Sequence, residues 1–214
     1  MRITIHQPAY LPWLPYLEKI GRSDAFVFLD SVSYSKNSFD NRNRIQINGN
    51  DHWLTIPIKT SGKAGQIYTE TYPVNDEWRD KHAKTIQFQY HKMENWKMYS
   101  SILELYNKIN PMDSLAGICY AMLPYFLELF FRDRKIPIIP SSSLNLDSNI
   151  KGSDLVLEIC KKLGANEYYS GIMGRDYLDE MAFERAGIKI LYQDYKYPHY
   201  YSVVHQLFTI GPIL

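Results

Sequence analysis

The sequence predicts an α/β protein, a three-layer sandwich with a mainly parallel, Rossmann-like sheet, a β-hairpin and a helical insertion. Three observations carry this. Near both ends of the chain short apolar runs alternate with amphipathic stretches of helical period, the pattern of strands covered on both faces. Those helical stretches stop at Gly21, Gly164 and Gly187, the residue type that most readily closes a helix in a left-handed turn. Between the two alternating regions lie two runs joined by Asn48-Gly49-Asn50-Asp51, followed by a long helical segment. At 214 residues the chain can bury a full core. Residues 1–214 therefore read as one α/β domain, with residues 75–134 as a helical insertion within it.

Taken in order, residues 3–5 read as a strand, 13–21 as a helix and 25–29 as a second strand stopped by Asp30, which makes a βαβ opening. A polar connection leads to alternating runs at 45–47 and 53–58, and the turn cluster between them marks a hairpin. Residues 60–65, with two glycines and Lys63, read as a mobile loop, and 66–71 as a short strand. Trp78, His82, Ile86 and Tyr90 recur every four residues, one face of a helix starting near Asp76. Further helices are expected at 96–108 and from Pro111 to about Arg134. Alternation then resumes with strands at 136–139, 167–169 and 188–192 and helices at 153–163 and 175–186.

Composition narrows the function. Lysine plus arginine number 24 against 23 acidic residues, so no global field favours nucleic acid or an anionic membrane. The longest apolar stretch, about 116–131, contains Pro124 and Glu128 and is too short to span a bilayer. Together with the absence of a signal-peptide pattern at Met1 this implies a cytoplasmic protein. Cys119 and Cys160 have no metal-like spacing and read as buried thiols in a reducing compartment. The 18 tyrosines suit half-wet pockets for a sugar or nucleotide.

A parallel sheet brings the carboxyl ends of its strands to one edge, where α/β proteins bind ligands. Here each strand is followed by polar residues: His6-Gln7, Asp30, Ser141-Ser142-Ser143, Ser170-Gly171 and Gln193-Asp194. A histidine at a strand end often merely caps a turn, and serines cap helices; the convergence is what points to a site. A second constellation runs from Asn37 to Arg44, followed by Lys59 and Lys63. Arg42 and Arg44 can fork onto a phosphate or carboxylate, with Asn41 and Asn43 reading hydroxyls, unless the segment is only a solvated surface. The third, Tyr169 to Arg175, places two glycines before a helix start that would favour phosphate. Complete dinucleotide and P-loop motifs, HExxH, GxSxG and metal-spaced His/Cys clusters are absent from the sequence. His82 and His91, nine residues apart, read as structural.

Several of these residues also form a family pattern. His6-Gln7-Pro8-x-Tyr10-x-Pro12-Trp13, Asp24-x-Phe26-Val27-x-x-Asp30, Asn41-Arg42-Asn43, Trp53-Leu54-Thr55-Ile56-Pro57, Trp78 with Lys81-His82, and Tyr168-Tyr169-Ser170-Gly171 with Tyr177-Leu178 and Phe183 resemble the WbqC-like family over nearly the whole chain. That resemblance implies a bacterial protein of O-antigen or related polysaccharide biosynthesis that transfers glycine or a similar acyl group onto an aminosugar. Family members close with a Tyr-Pro-Gln element and a Ser-Ile-Ile-Asp-Leu-Leu-Phe helix. Here either the chain stops before that helix, the reading adopted, or Ser202 to Phe208 is a diverged version with His205 for aspartate.

The implied chemistry is amide formation on a nucleotide-linked aminosugar, with an acyl or aminoacyl thioester of coenzyme A or an acyl carrier protein as co-substrate and no tightly bound cofactor or metal. His6, with the ordinary imidazole pKa, would accept the amine proton and Asp30 would orient it or stand in as base. Arg42 and Arg44 would hold the diphosphate and Asn41 and Asn43 the sugar hydroxyls. Ser170 and Gly171 would donate to the oxyanion or phosphate, Tyr10 and Trp13 would stack on a ring, and Gln7 would line the site. The alternatives are a non-catalytic nucleotide-sugar-binding protein and a nucleotidyltransferase-like enzyme, whose second histidine is missing.

Overall fold

The computed structural model describes residues 1–36, 38–59, 65–197 and 199–214. Asn37 and residues 60–64, which include Lys63 and most of the expected loop, lie outside the described residues.

Five parallel strands form the central sheet: β1 (Arg2–His6), β2 (Ala25–Phe28), β5 (Ile138–Pro140), β6 (Glu167–Ser170) and β7 (Lys189–Tyr192), in the spatial order β5-β2-β1-β6-β7. The pleat divides their side chains between two layers. Phe26 and Phe28 pack with Leu14, Leu17 and Ile20 of α1 (Leu14–Gly21) and with the mid-chain helices. Ile3, Ile5, Ala25 and Val27 pack with Leu155, Ile159 and Cys160 of α6 (Gly152–Lys162) and Phe183 of α7 (Glu180–Arg185). Helices thus cover both faces of one parallel sheet, which is the expected three-layer sandwich.

The hairpin is β3 (Arg42–Ile47) and β4 (Asn50–Thr55), antiparallel. Its two-residue turn needs positive φ at both positions, and Asn48 at 49° and Gly49 at 79° supply it. In α2 (Glu77–Tyr90) the buried residues are Trp78, His82, Ile86 and Tyr90, the face set by the four-residue spacing. Helix α3 (Trp96–Tyr99), α4 (Ile102–Lys108) and α5 (Leu115–Phe130) follow, the last capped by the Ser114 hydroxyl on the Gly117 amide.

Four expectations need correction. Residues 66–71 make no strand but a single 3-10 turn, Tyr68–Glu70, because the Tyr68 ring is drawn into the core and its hydroxyl donates to Asp40 at 2.5 Å. The helix expected at 96–108 is two short ones, α3 and α4. The helix expected at 175–186 is a 3-10 turn, Ile172–Asp176, followed by α7, with Asp179 capping α7 at Ala182 N. The reading that places no closing helix after Ser202 is also corrected: α8 (Val203–Thr209) is a helix, its Ser202 hydroxyl accepts from Val204 N, and Val203, Val204, Leu207 and Phe208 are buried.

Candidate functional site

Strand order reverses at β1, with β2 and β5 on one side and β6 and β7 on the other. Open parallel sheets bind ligands outside the carboxyl ends of their strands at such a switch point. Here the sheet splits there. β1 and β6 are paired only at Arg2 with Glu167 and Ile3 with Tyr168. Beyond that, the Thr4 hydroxyl donates to the Tyr169 carbonyl at 2.7 Å and the Lys19 amine of α1 donates to the Ile5 carbonyl at 3.3 Å. Side chains thus replace the next rungs of the ladder. Continuing the register would set His6 against Gly171, so two residues singled out from opposite ends of the chain belong to the same edge of the sheet, beside this split.

His6 is held on three sides. Its Nδ1 lies 3.0 Å from the Gln7 carbonyl, which can only accept, so Nδ1 carries the hydrogen and Nε2 keeps its lone pair. The ring stands edge-on to Trp13 and Tyr16, with centroids 5.6 and 4.8 Å away. Burial, and after it the charge of Lys19, lower its pKa to about 3, against the opposing Gln7 hydrogen bond. An imidazole so depressed is a poor base toward an ammonium near neutral pH, which bears against the proton-acceptor role. It offers a neutral acceptor at Nε2.

From His6 an aromatic strip runs outward. Trp13 lies 5.3 Å from Phe39, and Phe39 lies 5.8 Å from Trp53, which is 41% exposed. Arg44 is the cross-strand partner of Trp53 and Arg42 sits one pleat away on the same face. Their guanidinium carbons therefore lie over the Trp53 ring, at 5.4 and 4.6 Å. The first two constellations of the sequence, which nothing in their spacing connects, are joined through Phe39. Phe39, inside the second constellation, and Trp53, inside the family pattern, were given no role from sequence; an indole among the polar residues Asp51, His52 and Thr55 was the available signal.

Other predicted site residues go elsewhere. Tyr10 is fully buried, its hydroxyl 2.8 Å from His82 Nδ1 and 2.6 Å from the Tyr106 hydroxyl, so it cannot stack on a ligand. The Asn41 and Asn43 amides do not face out to hydroxyls; they are buried and donate to the carbonyls of Ile56 at 2.8 Å and Leu11 at 2.6 Å. Leu11 has a φ of 47°, and Asn43 pins that strained turn. Asp30 accepts from the Ser141 hydroxyl at 2.9 Å and from the Ser142 amide and hydroxyl at 2.8 and 2.7 Å, so its hydrogen bonds tie β2 to the end of β5 and none runs to His6. It floors a separate open cleft of about 240 Å³ beside Tyr120 and Gly117. The Ser170 hydroxyl is buried and donates to Gly171 O at 3.0 Å. Behind Gly171 stands the short 3-10 turn, so no long helix N-terminus faces a phosphate there. Arg44 is paired with Asp51 at 2.6 Å. The residues gathered at the split and strip are His6, Gln7, Trp13, Arg42, Arg44 and Gly171, with Lys19, Phe39 and Trp53 added.

The thiols offer no nucleophile: burial raises Cys119 and pushes Cys160 up to about 12. Among the described residues no group of three or more His, Cys, Asp or Glu is arranged to hold a metal ion, and no helix is long and apolar enough to cross a membrane.

The WbqC-like protein family model matches residues 7–211, a span that begins directly after β1 and holds Trp13, Lys19, the hairpin, Gly171 and α8. The chain belongs to the WbqC-like protein family. This WbqC-like protein is 25% identical, over 98% of its own length and 94% of the relative's, to the uncharacterized protein Rv1507c of Mycobacterium tuberculosis. No solved structure matches it.

Proposed function

We propose that this protein transfers an acyl or aminoacyl group from a thioester to the amine of a nucleotide-linked aminosugar. The observation that carries the reading is the strip from His6 through Trp13 and Phe39 to Trp53, with Arg42 and Arg44 over its outer ring. Aromatic faces edged by guanidinium groups suit the flat apolar sides and polar rims of sugars and bases. The strip ends at the carboxyl edge of a parallel sheet, where such ligands bind.

With both thiols buried and protonated, transfer is direct. The neutral amine attacks the thioester carbonyl, the C–N bond forms, the C–S bond breaks and the departing thiolate carries off the amine proton. His6 Nε2 accepts a hydrogen bond from the amine and aims its lone pair; His6 is thus a positioning acceptor and not a proton store. Coenzyme A or an acyl carrier protein supplies the thioester, and O-antigen or a related glycan is the product's destination.

Purified protein incubated with nucleotide-linked aminosugars and acyl or glycyl thioesters should yield a product heavier by the acyl group, read by mass spectrometry. Trp53→Ala should fold normally and slow product formation by about twofold to tenfold, the worth of one stacked ring. Binding of the aminosugar without product from any donor would favour a non-catalytic nucleotide-sugar-binding protein; full activity in Trp53→Ala would remove the strip from the reading.

A further inference from the structure

We propose that Lys19 is the counter-ion of the ligand's phosphate, receiving a phosphoryl oxygen in the split between β1 and β6. The inference rests on the transfer reading only for the identity of the phosphate as that of a nucleotide-linked sugar.

Lys19 is 5% exposed, in a helix whose residues from Leu14 to Ile20 are all buried. A buried ammonium costs several kcal/mol unless an anion compensates it. Its hydrogen bond here goes to a neutral carbonyl, Ile5 O, at 3.3 Å, and that accounts for one of three N–H donors. The nearest acid in sequence, Glu18, is committed elsewhere: it accepts from the Tyr169 hydroxyl at 3.1 Å and from Gln193 Nε2 at 2.6 Å and pairs with Arg22. Among the described residues no ion pair joins Lys19 to a carboxylate. Glu18 therefore offsets the charge only through space, against the larger effect of burial, and the ammonium sits where the sheet opens. Gly171 borders it: a Cβ there would lie 3.8 Å from Nζ, so the absent side chain leaves the space beside the amine free. Of the two arginines expected to hold a diphosphate, Arg44 is already paired with Asp51.

The ionisable groups facing Lys19 are His6 from β1, Glu18 on its own helix, and Tyr169 from β6 and Tyr195 beyond β7, both reached through Glu18. With its pKa lowered by burial to about 8, Lys19 is half neutral at pH 8, whereas His6 is neutral and Tyr169, at about 12, protonated. A bound phosphate would hold Lys19 charged, so binding at pH 8 takes up protons.

The test is calorimetry of the full chain with UDP and dTDP, inorganic phosphate and uridine, at pH 8 in two buffers of different ionisation enthalpy. Wild type should bind a nucleoside diphosphate with proton uptake and should not bind uridine comparably; binding of inorganic phosphate alone would identify free phosphate as the source. Lys19→Met should weaken binding by about tenfold to a hundredfold and abolish the uptake. Its urea midpoint should be unchanged or higher, because a buried ammonium with no ion pair has been removed. Gly171→Ala, whose Cβ makes only an ordinary contact, should fold and weaken binding several-fold, and it decides the matter if Lys19→Met does not fold. Failure of every phosphate probe to bind, wild-type affinity and uptake in Lys19→Met, or undiminished binding by Gly171→Ala each overturns the proposal. Phosphate binding through Lys19 without amide product refutes transfer alone; amide formation with wild-type KM by Lys19→Met refutes the role of Lys19 alone.

Discussion

Three histidines are held neutral by the fold, and they should make this protein acid-labile well above the range in which carboxylates titrate. Burial is the main cause in each case, and it lowers His6 and His82 to about 3 and His205 to about 4. In the unfolded chain each returns to about 6.5. A depressed folded pKa means that the unfolded state binds protons first as pH falls, so stability is fully present above 6.5 and drains away between 6.5 and the folded values. By pH 5 each unfolded imidazole is protonated and each folded one is not, which removes about 2 kcal/mol per histidine, or about 6 kcal/mol together. That figure depends on the unfolded pKa and not on how deep the folded one lies, provided it is well below 5. Asp40 works in the opposite sense: burial holds its carboxyl above the usual range, so its protonation returns part of the loss. Because domains are stable by only about 5–15 kcal/mol, the protein should be close to unfolding at pH 5. Urea unfolding followed by tryptophan fluorescence at pH 8, 6.5 and 5 measures the change, and His205→Gln should reduce it by about a third. Stability that stays flat between pH 8 and 5 would show that the histidines accept protons in the fold, and the argument for a neutral His6 would go with it.

Two substitutions probe the frame around the site. Tyr10→Phe deprives His82 Nδ1 and the Tyr106 hydroxyl of a buried partner and should cost about 1–3 kcal/mol in urea unfolding while leaving ligand affinity intact. Gly174→Ala would put a Cβ 2.1 Å from the Ser170 hydroxyl and 3.0 Å from Leu178 Cδ1. It should destabilise by about 1–3 kcal/mol, and adding Ser170→Gly should restore most of the loss.

What could be read in the sequence was what local physics governs. The buried face of α2, the Asn48-Gly49 turn and the alternation of strands with helices follow from periodicity and backbone preference, and a parallel sheet then sends His6 and Gly171 to one edge. What could not be read depended on partners distant in the chain. Lys19 looks like the wet side of an amphipathic helix, and its place over the sheet, between the Ile5 carbonyl and Gly171, buries it. Asn41 and Asn43 look like a polar loop, yet they satisfy the carbonyls of Ile56 and Leu11. The pKa of His6 depends on Lys19, thirteen positions away, and the aromatic strip depends on a register that brings Trp53 opposite Arg44.

The segment leading into α8 ties together parts of the chain made long before it. Ser202 N bonds to Arg44 O, Val203 N to Pro12 O, and the Tyr201 hydroxyl to Asp51, so the hairpin and the loop carrying Trp13 are joined through residues 201–203. A ribosome delivers the N-terminus first. His6, Trp13 and Trp53 therefore emerge early and wait through some 150 residues of synthesis before the clasp that aligns them is made. Nascent chains stalled short of residue 201 should contain folded helices and hold the hairpin loosely, so ligand binding should be the last property acquired as the chain grows.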